Sequence, residues 1–549
     1  MAPVNLLVFR DTARQTQGTV AFKHVQTMVE RITSCNRNIV LDALVTAGAF
    51  ESALSDLQWP SVHAAIGLTD ALAAALFHPG TDPASAIQKF LSELANSAMP
   101  PSVRMNVPEG FAYYALHPLD FGECAIAGKR GDTFAVVGIR SIGTVLSAVL
   151  AASIGAQGTS VARRTVRPTG HPYDRVLQFN DLETAWVNAH KQRGSTFVIV
   201  DEGPGLSGSS FLATAEALAN LGVPRDCILM SGTHPVDPQQ LCSRDAVARW
   251  QRFNWRHVDS TLSRRFAALA PMGAGEWRRT AFCFQDEWPA CWPEMERLKF
   301  LSKDGRQLLK FDGFGSFGES VRDRGELAFR SGFGPQLEDA GDGMTAYRLI
   351  PGRPLHPEDV SESRLARVAD YCAFRASEFK VQPRTGGELE SMVRFNFTQE
   401  FGEEPNFPEG SLNPACAVIA DGHMQPHEWI PYDRTVLKLD GATHGDDHFY
   451  PGPTDIAWDL AGTFIEWNLD ANQSDVLLRR FRDRSGVRAD AQLPWFLLAY
   501  ATFRMAYCKM AMSATHAFHE KKRLENVYRY YRNKARQFSR CASARPNYP

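Results

Sequence analysis

The spacing of apolar positions divides the chain into three stretches of different character. From Val20 to about Ala98 apolar residues recur every three or four positions, as in Leu72–Phe77 and Ile87–Leu94, which predicts helices. The next stretch alternates. Phe134–Val137 predicts a buried strand, Gly143–Ile154 a helix, Thr196–Val200 a strand, Ser209–Leu221 a helix and Cys227–Met230 a strand. Strands alternating with helices predict a parallel α/β sheet. Trp277–Pro293 has little periodicity, and the expected domain boundary falls there. Beyond it, Leu298–Phe300 and Gln307–Phe311 flank the turn signal Lys303-Asp304-Gly305, and from about Leu365 the pattern is largely helical. The expected division is a helical segment over 1–100, an α/β domain over 101–280 and a second domain over 290–549. No internal repeat or low-complexity tract interrupts it.

Length supports that division, since 549 residues exceed what one hydrophobic core usually carries. A net charge of -2 gives no reason to expect nucleic acid or an anionic membrane as partner, so any charged ligand must be held by a local site. The ten cysteines form no C-x-x-C pair, which predicts free thiols in a reducing compartment. Met1–Asp11 has an apolar run too short for a signal-peptide core, and Phe134–Ala156 is broken by Arg140 and glycines, so neither reads as a membrane segment. The expectation is a cytoplasmic protein, with oligomerisation left open.

The strongest chemical signal is Phe197-Val-Ile-Val-Asp201-Glu202-Gly203-Pro204-Gly205-Leu206-Ser207-Gly208-Ser209-Ser210: an apolar strand ending in two acids, then a Gly/Ser loop opening a helix that stops at Gly222. Glycines let backbone N–H groups turn onto an anion, serine hydroxyls add donors, and the helix N-terminus contributes about half a positive charge. Paired acids at a strand end can take sugar hydroxyls. A Walker A loop is disfavoured because Ser209 stands where that motif needs lysine.

These residues resemble the type I phosphoribosyltransferase family. The resemblance, over about 105–270, implies that Asp201 and Glu202 hold ribose hydroxyls and that Ser207, Gly208, Ser209 and Ser210, with Gly203 and Gly205 shaping the turn, hold a 5′-phosphate. Val136-Val-Gly-Ile-Arg140-Ser141-Ile142-Gly143-Thr144 is similar to the family's pyrophosphate loop, with Arg140, Ser141, Gly143 and Thr144 on the leaving group beside Mg2+. Arg163-Arg164-Thr-Val-Arg167 would be the mobile basic loop. One departure leaves two alignments open, because the loop is a residue longer than the family spacing. Either it bulges at Gly203-Pro204-Gly205, or Glu202 and Gly203 take the places of the acids. The implied activity is transfer from 5-phosphoribosyl-1-pyrophosphate (PRPP) to a small acceptor, assisted by Arg140. The alternative is a PRPP or nucleotide sensor without turnover.

Over about 297–549 the pieces Gln307-Leu-Leu-Lys310-Phe311, Arg324-Gly-Glu326-Leu, Gly332-Phe-Gly-Pro335 and Tyr347–Leu355 resemble, in order, the N-lobe of the aminoglycoside phosphotransferase group of kinase-like enzymes, an α+β two-lobed fold. That likeness implies ATP as ligand, with Lys310 on its phosphates and Glu326 as the lysine's helix partner. Asp421-Gly-His423-Met-Gln-Pro-His-Glu428-Trp-Ile aligns with the family's catalytic loop, Leu437-Lys-Leu-Asp440-Gly with its metal-binding segment and Asp455–Ala461 with its anchoring segment. His423 stands at the base position and Glu428 at a metal position, so a nucleotide-binding unit with weak or no phosphotransfer is expected. The histidines and acids of 423–448 are metal-ligand types without a recognised spacing. The tail Lys521–Arg540, with eight Lys/Arg and interleaved aromatics, predicts an amphipathic helix closing this domain.

Overall fold

The computed structural model describes residues 5–32, 36–77, 83–122, 132–233 and 235–543; Cys35 and Cys124 lie outside them. Among the described side chains seven cysteines, from Cys227 to Cys508, are free thiols.

Four helices open the first unit: α1 (Gly18–Glu30), α2 (Arg37–Asp56), α3 (Val62–Ala74) and α4 (Pro83–Ala95). A short turn of helix, α5 (Glu109–Ala112), leads toward the sheet. The sheet has five strands, β1 (Thr133–Ile139), β2 (Ser160–Val166), β3 (Thr196–Val200), β4 (Ile228–Gly232) and β5 (Asn254–His257), all parallel in the order β2-β1-β3-β4-β5. Helices α6 (Ile142–Ala156), α7 (Asp181–Gln192) and α8 (Ser209–Asn220) make the crossovers.

A strand buried on both faces must be apolar throughout, and β1 and β3 are. Phe134, Val136, Val198 and Val200 pack into one core with α6 and the N-terminal helices. Ala135, Val137, Ile139, Phe197 and Ile199 face the other side, with Val187 of α7 and Phe211, Leu212, Ala215 and Leu218 of α8. The result is helices, sheet, helices in three layers.

The segment Arg163-Arg164-Thr-Val166 does not form a basic loop. It is the second half of β2, in register with Val136–Ile139, and the two-stranded hairpin Thr169–His171/Asp174–Val176 follows it. Arg163 points into the protein. Its guanidinium meets Glu51 of α2 at 2.9 and 3.0 Å and Asp70 of α3 at 2.7 Å, with Glu51 fully buried. A buried pair satisfied on both sides is compatible with a strand interior; an arginine without partners would not be.

The second unit is α+β with two lobes. An antiparallel sheet of β6 (Ala270–Pro271), β7 (Lys299–Leu301), β8 (Gln307–Phe311), β9 (Leu337–Gly341) and β10 (Met344–Arg348), ordered β6-β7-β8-β10-β9, carries helix α9 (Gly315–Arg330). The other lobe is built from helices Glu362–Glu378, Gly387–Phe401, Ala457–Glu466, Ala471–Ser485, Leu493–Ala514 and Phe518–Ser543. The terminal amphipathic helix packs Leu524, Tyr531 and Ala535 into that lobe's core.

Residues Leu6–Val8 enter the same core, with Leu7 389 residues from its partner in sequence: Asn396 accepts from the Leu7 N–H at 2.7 Å and donates to its carbonyl at 2.8 Å. Phe9 bridges Phe449, and the Arg10 N–H donates to the His448 carbonyl at 2.9 Å. Among the described residues no helix is long and apolar enough to cross a membrane.

Candidate functional site

Two places concentrate chemistry. The first is the crevice where the sheet order reverses between β1 and β3, the usual ligand position in an open α/β sheet. The loops after both strands meet there, and Gly143 approaches so closely that a side chain on it would lie 2.5 Å from the Val200 carbonyl. Ser141 adopts φ 94°, ψ -95°, a costly backbone for a residue with a side chain and a frequent mark of functional loops.

After β3 the chain makes a turn closed by Gly208 N–H donating to the Pro204 carbonyl at 2.8 Å. Gly208, at φ 69°, then caps α8. Asp201 and Glu202 lie half-buried at the strand end. Burial pushes the Asp201 carboxyl up to about 7 against the N–H of Glu202 and the charges of Arg167 and Arg175. Burial, then Asp201 and Glu109, push Glu202 up to about 8. Near pH 7 Glu202 is largely neutral and Asp201 about half so, which lessens the repulsion of a polyanion beside them.

Other expected contacts are taken by protein groups. Ser207 and Ser209 both donate to the Pro172 carbonyl, at 2.8 and 2.7 Å, from the tip of the hairpin. Ser210 accepts from Arg175 at 3.2 Å. Thr144 is fully buried and bonded to Ser52 of α2 at 2.8 Å, facing the helices and not the crevice. Arg140 donates to Thr165 and, at 3.1 Å, to Asp56 of α2, which Arg167 also clasps. Sequence alone could not place Asp56, which lies 84 residues from Arg140.

The second place is a cavity of about 510 Å³ between the lobes of the second unit, lined in part by Tyr113 and Tyr114 of the first. Lys310 of β8 is buried and crosses to Asp440, also donating to Thr443 at 2.8 Å; Lys299 of β7 reaches Asp440 at 3.7 Å. The expected Lys310–Glu326 pair does not form. Glu326 bonds Arg330 one turn along α9 at 2.8 Å, while the inward residue is Arg324, which donates to the Ala442 carbonyl at 3.0 Å.

Asp459 accepts the backbone N–H groups of Asp421 and Gly422, both at 2.9 Å, and so fixes the loop that carries His423. Asp421 is buried and accepts from Tyr371 at 2.5 Å. Although burial raises its carboxyl, Lys438, His444 and Arg375 hold it far below the usual range. Against the same burial, Lys310 and Lys299 hold Asp440 well down. His423 stacks on His444 with centroids 3.8 Å apart. Burial, with His444 and Arg504, drives its pKa well below 6.5, so the imidazole is neutral and a weak base.

Lys438, which sequence reading passed over, is the least expected member. Its ammonium lies 3.4 Å from Asp421 and 3.5 Å from Glu428 and donates to the Leu439 carbonyl at 2.8 Å. Asp421, Glu428 and Asp440 are therefore each already met by a lysine. Among the described residues there is also no group of three or more His, Cys, Asp or Glu suited to a metal. The cleft as arranged does not fit a Mg2+ ion.

No protein-family model matches the chain, and no curated protein matches it. Solved structures similar to it include a choline/ethanolamine kinase family protein from Mesorhizobium loti (15% identity, 45% of this chain and 88% of that one, TM-score 0.32). Choline kinase from Streptococcus pneumoniae (12%, 44% and 89%, TM-score 0.31) and an aminoglycoside phosphotransferase from Alicyclobacillus acidocaldarius (11%, 45% and 89%, TM-score 0.29) are others. Similarity this low leaves the chemistry of both sites to be read from their own residues.

Proposed function

We propose that the second unit is a kinase-like module that binds a nucleotide between its lobes, with the base against the Leu349–Gly352 segment and the phosphate end at Lys299 and Lys310. The observation that carries this reading is the meeting of Lys310 and Asp440 across the cleft from opposite lobes. Lysine at that place supplies positive charge to phosphate oxygens. Turnover is expected to be weak. His423 stands where a carboxylate base would serve, and a base whose pKa is pushed far below neutrality takes a hydroxyl proton poorly. Calorimetric titration of the full chain with adenine and guanine nucleotides tests it: Lys310→Ala is expected to weaken binding about tenfold or more, the worth of one charge-assisted contact. Equal affinity in the variant refutes the assignment.

A second reading concerns the first unit, and the strained Ser141 at the sheet's switch point favours it. The crevice would take PRPP, with its phosphate at the start of α8 and its ribose hydroxyls on Asp201 and Glu202, for transfer to a small acceptor. Binding would require the hairpin tip to release Ser207 and Ser209 from Pro172. Magnesium would there be held chiefly by PRPP oxygens, which demands few protein ligands. Pyrophosphate release on incubation with PRPP and a metabolite extract supports this reading; PRPP that neither binds nor turns over removes it.

A further inference from the structure

The nucleotide cleft, accepted as proposed above, has an unusual charge balance. Lys299, Lys310 and Arg297 line the phosphate end, with Lys438 buried behind it. Asp440, Asp421 and Glu428 line it beside them, and Glu296 and Asp447 line the same cavity. Asp440 is shared by Lys299 and Lys310, Asp421 and Glu428 are shared by Lys438, and Asp312 accepts from Tyr347 at 2.6 Å behind Lys310. Arg297 donates to the carbonyls of Ala112, Asp312 and Thr443.

Two consequences follow from elementary electrostatics. A divalent cation entering here would have to displace an ammonium from a buried carboxylate, and Lys438, 1% exposed, has no route to solvent that would soften that loss. A bare triphosphate, carrying about four negative charges, would find no surplus of positive charge to balance it, since unlike charges in such a site already cancel. A phosphomonoester can be accommodated at lower cost by sharing Lys299 and Lys310 with Asp440, whose side chain is one-quarter exposed.

We infer that this cleft takes a nucleotide of low charge, a nucleoside monophosphate in preference to a triphosphate, held directly by Lys299 and Lys310 without a divalent metal ion. Lys438 already neutralises Asp421 and Glu428 from between them.

The experiment is titration of the full chain with AMP, ADP, ATP and their guanosine counterparts, each in EDTA and again with magnesium. A parallel manganese titration in the presence of ADP is followed by electron paramagnetic resonance. The expected result is monophosphate binding at least as tight as triphosphate binding in EDTA, magnesium altering the di- and triphosphate affinities by less than about threefold, and a free-manganese signal undiminished by protein. These outcomes follow if the cleft's own lysines supply the charge. Magnesium tightening ATP tenfold or more, or manganese bound with ADP, overturns the inference while leaving nucleotide binding intact. Failure of every nucleotide in both media overturns the nucleotide assignment and this inference with it.

Discussion

Replacing Arg163 by methionine keeps the length of the stem but removes the guanidinium that answers Glu51. Glu51 is fully buried between α2 and the sheet, so in the variant its carboxyl must be buried charged without a partner or be protonated. Protonation is the cheaper course. From an ordinary value of 4.5, neutralising it at pH 7 costs about 3.4 kcal/mol, at 1.36 kcal/mol per unit. Asp70, the other partner, is 46% exposed on its side chain and stays solvated, so its loss adds little. The cost depends on pH with a definite sign. A carboxyl whose folded pKa is raised above its unfolded value costs nothing below the unfolded value and progressively more as pH rises. The penalty should therefore fall to roughly 0.7 kcal/mol at pH 5, while Glu51→Gln/Arg163→Met should show no such slope. A chain of two units need not unfold in one step. Hydrogen exchange of the amides in β1 and β2, which reads the stability of that sheet itself, is the suitable assay. A penalty below about 1 kcal/mol at pH 7, or the same penalty at both pH values, would refute the account of Arg163 as a buried clamp between helices and sheet.

Three further outcomes are expected. Because the Asp201 and Glu202 carboxyls are raised from 3.8 and 4.5 to about 7 and about 8, the first unit should lose stability as pH rises from about 4 to about 8 and level off above that; calorimetry should find the loss flattened in Asp201→Asn/Glu202→Gln. The same double variant should weaken PRPP binding if the crevice holds ribose, and unchanged affinity by titration calorimetry counts against that reading. Asn396→Ala removes both bonds to Leu7, at about 1 kcal/mol each, so trypsin should cut at Arg10 or Arg14 faster than in the parent chain, and an unchanged rate would mean the N-terminal contact contributes little.

The parts of this fold legible in sequence are those that a short window determines. Phe134–Val137 and Thr196–Val200 are apolar on both faces because their strands are covered on both sides, and the Lys303–Gly305 turn joins the strands that β7 and β8 become. What was not legible depends on partners far away. Two adjacent arginines look solvent-exposed until Glu51, 112 residues distant, is brought to one of them. A lysine in Thr435–Lys438 resembles any strand lysine until Asp421 and Glu428 fold around it. Glu326 had the right residue type on the right helix, but helical phase turns Arg324 inward instead.

The packing of Leu6–Val8 into the second unit's core gives the chain an awkward itinerary during synthesis. Asn396 is made 389 residues after Leu7. At about 5–20 residues per second, that is a wait of roughly 20–80 s with an apolar segment unpartnered. In that interval all five strands of the first unit's sheet, which end at His257, are made. The second unit, by contrast, closes only when the two ends of its own core meet after everything between them has been made. Anything fused close to Leu6 would be carried into that closing step.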